Sequence, residues 1–154
     1  RIGHFEGVLD VMDQMIKKIN PKYVFMGLKD FQQIYLVKNF IEKQYRCKIF
    51  QCKTIRNKNK LALSSRNLLI QKKYLSIAER LISNLIKLKK KLVNVRYVKK
   101  FLILKRNELS KDLNINIEYL ELRNEKNLRE TNKLNFSRLF VAYYINGIRL
   151  IDNF

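Results

Sequence analysis

Glycine and proline are scarce in this chain, at four and one of 154 residues, and tryptophan is absent. That scarcity accompanies an abundance of Lys, Asn and Ile, which is how a strongly AT-biased genome writes almost any protein. Two cysteines, Cys47 and Cys52, lie in or beside one predicted strand, with no further Cys and no nearby His to complete a metal site, so they read as reduced residues of a cytoplasmic protein. No metal-ligating protein residue is expected. No uncharged apolar run reaches the length a membrane span needs. The N-terminus lacks both the layout of a signal peptide and a starting Met, so the chain reads as soluble, with no membrane partner, and as beginning inside a longer protein. There is no internal repeat and no low-complexity tract.

Acidic residues are also few, 13 against 33 Lys and Arg, and the net charge is +20. Such a charge invites a nucleic-acid partner, because Lys and Arg neutralise phosphates. The Lys residues are spread along the whole chain, however, and base bias accounts for Lys, Asn and Ile together, whereas a nucleic-acid surface accounts only for Lys. No specific nucleic-acid partner is expected. The alternative is a basic nucleic-acid-binding module that uses Tyr143 and Phe140 as stacking surfaces, set against the plainer reading that both alternate into a sheet core.

What is present is a packed-core composition, 47% hydrophobic, in a length that suits one ordinary domain or two small ones. From His4 to Ile19 the residues Phe5, Val8, Leu9, Met12, Met15, Ile16 and Ile19 recur at helical spacing, and Pro21 ends the helix. A strand Tyr23–Met26, a helix from Asp30 to Tyr45 and a strand Cys47–Cys52 follow. This is the repeat of a parallel α/β sheet, which needs more strands than these two. After a polar, basic connection from Lys53 to Lys60, helices are expected over Lys72–Lys91 and Val95–Ser110. Strands are expected around Ile115–Leu122, over Leu139–Ile145 and over Ile148–Ile151, the last two joined by a type I′ turn at Asn146-Gly147. The fold class is therefore α/β, followed by a small α+β domain with an antiparallel sheet.

Two loops concentrate the chemistry. Gly27-Leu28-Lys29-Asp30-Phe31-Gln32-Gln33 turns from a buried strand into a helix, the place where open α/β sheets hold ligands. Its plain reading is an Asp30 cap with Gln33 as a capping-box partner, and Gly27 as the flexible residue of a tight turn. The second loop is Leu61-Ala62-Leu63-Ser64-Ser65-Arg66-Asn67, for which the plain reading is a serine cap beside a surface cation. With Arg1-Ile2-Gly3-His4-Phe5-Glu6-Gly7-Val8 added, the set resembles the pantothenate synthetase (pantoate–β-alanine ligase) family. That family's patterns are R-P-G-H-F-x-G-V, G-E-K-D-F/Y-Q-Q and G-L-A-L/M-S-S-R-N, in this order. The ending Asn146-Gly147-Ile148-Arg149-Leu150-Ile151-Asp152-Asn153 also resembles the family's closing hairpin, G-x-x-R-L-I-D-N.

The resemblance covers the C-terminal portion of the family. It implies a partial Rossmann-like nucleotide-binding domain over residues 1–55 and a C-terminal α+β lid domain over 56–154. The reaction it implies joins pantoate to β-alanine with ATP, through pantoyl adenylate, giving pantothenate, AMP and pyrophosphate. By the family pattern Gly27, Leu28, Lys29, Asp30, Ile55, Leu63, Ser64, Ser65 and Arg66 bind ATP, Ile55 through its backbone, and Gln33 binds pantoate. Lys29, Ser64, Ser65 and Arg66 carry the catalytic work, Lys29 on the nucleotide-domain side and Arg66 on the lid side. Magnesium bridging ATP oxygens, a homodimer when full length and a cytoplasmic location are also implied. His4, the only histidine, reads as structural.

This sequence departs from the family in lacking the upstream H-x-G-H loop and a further pantoate-binding Gln, so the chain alone is expected to be inactive, and a decayed relic of the ligase is the further alternative. Smaller departures are Ile2 for Pro, Leu28 for Glu and Lys60 for Gly.

Overall fold

The computed structural model describes residues 3–154, so Arg1 and Ile2 of the first motif lie outside the described residues. Contacts divide the chain into two compact units, Arg1–Thr54 and Ile55–Phe154. The division falls one residue before the boundary expected from sequence and places Ile55 in the second unit. No helix among the described residues is long and apolar enough to cross a membrane.

The first unit runs α1 (His4–Ile19), β1 (Tyr23–Gly27), a 3-10 turn (Leu28–Asp30), α2 (Phe31–Gln44) and β2 (Lys48–Cys52). Helix α1 stops where the periodicity predicts, because Asn20 takes the left-handed conformation at φ 48° and returns its N–H to the Ile16 carbonyl just before Pro21. Strands β1 and β2 pair in parallel, Tyr23 opposite Lys48 through Gly27 opposite Cys52. Both helices bury their apolar stripes in one core: Ile16 from α1 and Ile34, Val37 and Ile41 from α2 pack with Ile49, flanked by Val24 and Met26. These strand residues alternate with Tyr23, Phe25 and Phe50, which are exposed and touch one another, Phe25 and Phe50 stacking at 5.5 Å between centroids. Parallel sheets are ordinarily covered on both faces; here the two helices cover one. On α1 the stripe is narrower than its spacing suggests, since Met15 and Ile19 are exposed with Val11.

The second unit carries a 3-10 helix (Ser65–Leu69), α3 (Lys72–Lys91), a 3-10 turn (Leu92–Asn94), α4 (Val98–Leu113), β3 (Asn116–Asn124), β4 (Ser137–Ile145) and β5 (Ile148–Asn153). The strands form an antiparallel sheet in the order β3-β4-β5. Asn146 and Gly147 both have positive φ, 48° and 76°, as the expected type I′ turn requires, and they pair Ile145 with Ile148. The core joins Leu81, Ile82 and Leu85 of α3 with Leu102 of α4 and Leu139 and Val141 of β4. Phe140 and Tyr143 are 4% and 1% exposed. They belong to the buried central strand, so neither offers a stacking surface to a nucleic acid. Burial also pushes the Tyr143 hydroxyl well above its ordinary pKa, helped by the charge of Asp152.

Candidate active site

The first loop forms as a strand end, one 3-10 turn and a helix start. Phe31, 6% exposed, anchors the opening of α2 in the interior, and the preceding Lys29 and the following Gln33 are half-buried around the amino end of that helix. Its first N–H groups have no partners within the helix and, with the dipole, favour an anion. Asp30 stands at the cap position but its side chain makes no capping hydrogen bond. The Gln33 amide makes no hydrogen bond among the described residues, so the capping-box reading is not realised. Gly27 is extended, at φ −74° and ψ 127°, and a Cβ there would meet no atom within 4 Å. Neither turn strain nor crowding therefore explains the glycine.

The second loop is held far more firmly. Residues 55–63 fold back as a narrow hairpin: Arg56 bridges Ala62, the Leu63 N–H donates to the Ile55 carbonyl at 2.9 Å, and the Asn57 N–H donates to the Leu61 carbonyl at 2.9 Å. Leu61 and Ala62 are buried, while Leu63 and Ile55 are exposed. Asn57 and Asn59 both donate to the Glu79 carboxylate on α3, at 2.8 and 2.7 Å. Lys60 turns the hairpin at φ 70°, the conformation the family's glycine would adopt without penalty. Ser64 then caps the 3-10 helix, its hydroxyl oxygen accepting the Arg66 N–H at 3.3 Å. The cap reading of Ser64 is thus realised, and it leaves the hydroxyl proton available to another acceptor. Ser65 is exposed and Arg66 half-buried, with its guanidinium 3.5 Å from the Arg149 carbonyl of β5. Asn67 closes the loop by donating to the Ala62 carbonyl at 2.9 Å.

Each unit thus gathers its own set: Gly27, Leu28, Lys29, Asp30 and Gln33 in the first, Ile55, Leu63, Ser64, Ser65 and Arg66 in the second. His4, the first residue of α1, lies against the Phe5 ring. Among the described residues no three His, Cys, Asp or Glu side chains cluster as a metal site would. A pocket of about 410 Å³ between α4 and β3, lined by Lys99, Leu102, Tyr119 and Glu121 among others, includes none of the expected site residues. What sequence reasoning missed is the framework behind the second loop, Arg56 and Glu79. Asp152 stood only as a letter in the closing motif.

Residues 1–154 match the pantoate-beta-alanine ligase family model. The chain belongs to this family. Among its relatives, the pantothenate synthetase of Flavobacterium psychrophilum is 32% identical over 161 residues, covering 99% of this chain and 55% of that protein. The Clostridium acetobutylicum pantothenate synthetase is 34% identical over 165 residues, covering 100% of this chain and 56% of its own length. The chain thus spans about half the length of the curated relatives it matches and corresponds to their C-terminal portion. Of solved structures, the Thermus thermophilus pantothenate synthetase superposes with a TM-score of 0.83 at 23% identity, over 100% of this chain and 56% of that one. The Francisella tularensis pantoate-beta-alanine ligase, complexed with beta-gamma ATP and beta-alanine, gives a TM-score of 0.70 at 28% identity, over 100% and 51%. The ligase family's architecture is the one described above, a parallel α/β part followed by a small antiparallel sheet with its helices.

Proposed function

We propose that this chain supplies the C-terminal portion of an ATP-dependent ligase that condenses pantoate with β-alanine through pantoyl adenylate. The observation that carries the reading is the placement of the family's G-x-K-D motif, here Gly27 to Asp30, at the carboxyl end of a parallel strand and the amino end of α2, where open α/β sheets receive phosphates. A glycine there that neither strain nor packing explains agrees with close approach of a ligand to the backbone.

In the first step the pantoate carboxylate attacks the α-phosphorus of ATP and pyrophosphate leaves. A carboxylic acid with a pKa near 4 is already ionised at neutral pH, so this step needs positioning and charge neutralisation rather than a protein base. Lys29 offers a compact positive charge, and Arg66 a planar fork for two phosphate oxygens. Ser64 and Ser65 add hydroxyl donors, and the exposed Ile55 offers its backbone to adenine. Gln33, whose side-chain amide makes no hydrogen bond among the described residues, can both donate to and accept from the hydroxyls and carboxylate of pantoate. In the second step the β-alanine amine attacks the acyl carbon, AMP departs, and the nitrogen loses a proton as the amide forms. Mg²⁺, as in nucleotide chemistry generally, would be held by the phosphate oxygens of ATP and would neutralise their charge.

The test is pantothenate formation from pantoate, β-alanine and ATP by the full-length protein. Lys29→Ala and Arg66→Ala are each expected to lower the rate about 100-fold or more, the usual effect of removing one transition-state charge partner. Undiminished rates in both would overturn the assignment. The 154-residue chain alone, without an H-x-G-H loop, is expected to make no detectable pantothenate.

A further inference from the structure

The hairpin that delivers Ser64 is clamped at its base from the far end of the second unit. Arg56 Nη1 donates to Asp152 Oδ2 at 2.7 Å and Nη2 to Oδ1 at 2.8 Å, a two-pronged pair between residues 96 positions apart. The same guanidinium donates to the Lys60 carbonyl at 2.9 Å and the Asn153 carbonyl at 3.2 Å, and it lies 4.9 Å from the centre of the Phe154 ring. The Asp152 side chain is 2% exposed and that of Arg56 20%. Burying such a pair is a poor way to gain stability, since desolvation offsets most of the attraction and apolar replacements often do as well. A planar fork seated on a buried carboxylate does, however, fix direction and distance.

What it fixes here is the expected nucleotide-binding segment. Ile55 precedes Arg56 directly, and Ala62, paired with Arg56 across the hairpin, is two residues from Ser64. A further contact from this segment to β5 is made by Arg66, against the Arg149 carbonyl. Both ends of the segment are thus referenced to one strand, through Asp152 and Arg149. We propose that the Arg56–Asp152 pair is a positioning device for ATP: it holds Ile55 and the Ser64–Arg66 groups at a fixed spacing, so that adenine and phosphates meet them together. This rests on the ATP reading of those residues. Displacement of a binding group by about 1 Å can cost on the order of 100-fold in rate, so the role is large enough to measure.

A purely structural pair would lower global stability when weakened, without singling out this segment or ATP. The two variants are Arg56→Lys, which keeps the charge and loses the fork, and Asp152→Asn, which keeps the shape and loses the charge. Amide hydrogen exchange on the full chain is expected to quicken at least tenfold at Asn57 and Leu63 while Leu120 and Val141, in the β3–β4 ladder, are unchanged. In the full-length protein, Arg56→Lys is expected to raise KM for ATP about tenfold and leave KM for pantoate unchanged. Unchanged exchange at the hairpin, or quickened exchange with an unaltered KM for ATP, overturns the proposal. A wild-type protein that binds no ATP overturns the nucleotide reading and this proposal with it, a result distinct from one confined to the variants.

Discussion

The Tyr45 hydroxyl donates to the Asp13 carboxylate, tying the residue that ends α2 to the middle of α1. Lys17, one helical turn beyond Asp13, contributes a second hydrogen bond at 2.6 Å. These two contacts, the lysine's the stronger, hold the Asp13 pKa below its ordinary value. A carboxyl depressed in the folded state adds stability that is fully present above its unfolded pKa, near 4, and disappears as pH falls through the folded value. Denaturant titrations from pH 6 to pH 2.5 are expected to show an acid-side loss of stability that Asp13→Asn reduces. An identical pH dependence in the variant would remove Asp13 from the account.

Lys60 holds φ 70° where the family pattern has glycine. A side chain in the left-handed region costs about 1–2 kcal/mol, and the Lys60 carbonyl, which receives Arg56, does not depend on the side chain. Lys60→Gly is therefore expected to stabilise the chain by about 0.5–1 kcal/mol after allowing for glycine's greater unfolded-state entropy. The shift in urea midpoint measures it, and a destabilised variant would contradict the steric argument.

The two cysteines are chemically unequal. Cys52 is exposed, whereas Cys47 is buried and its thiol is pushed up by desolvation and then by the nearby charge of Glu42. Titration of the native chain with a disulfide reagent at pH 8 is expected to release one equivalent promptly and the second only in denaturant. Two prompt equivalents would mean that the α2–β2 core opens readily.

Tyr23, Phe25 and Phe50 form an exposed aromatic patch on the face of β1 and β2 away from the helices, and patches of this kind favour association. Phe25→Ser with Phe50→Ser is expected to cost the 154-residue chain about 1–3 kcal/mol, since Phe50 is 44% exposed and so more than half covered. It should also lower the chain's self-association measured by sedimentation. Unaltered association would place the adhesive surface elsewhere.

Helices and strands with one buried face were legible from periodicity alone. Apolar spacing along α3 predicts a stripe of Leu75, Ala78, Leu81, Ile82, Leu85 and Ile86, of which the middle four are buried and Leu75 and Ile86 half-buried, and β1 falls within one residue of its expected end. Helix α4 was not placed as well: it starts at Val98 and runs to Leu113, where Asn114 at φ 50° stops it, rather than from Val95 to Ser110. Asparagine in that conformation is a terminator that apolar spacing does not register. The proposed site stood in the sequence as short motifs, because phosphate chemistry demands particular residue types close together. Its framework was not, since Arg56 and Asp152 meet only through the fold, and a lone Arg in a basic, unpatterned stretch looks like any surface cation.

The hairpin clamp also bears on chain order. Arg56, one residue into the second unit, touches Asp152, Asn153 and the ring of Phe154, so that unit's first and last residues are neighbours. Adjacent ends are the condition under which a domain tolerates circular permutation. A short linker could join Phe154 to Ile55, with new termini opened at the exposed Asn146-Gly147 turn, and every strand pairing except that hairpin's covalent link would be retained.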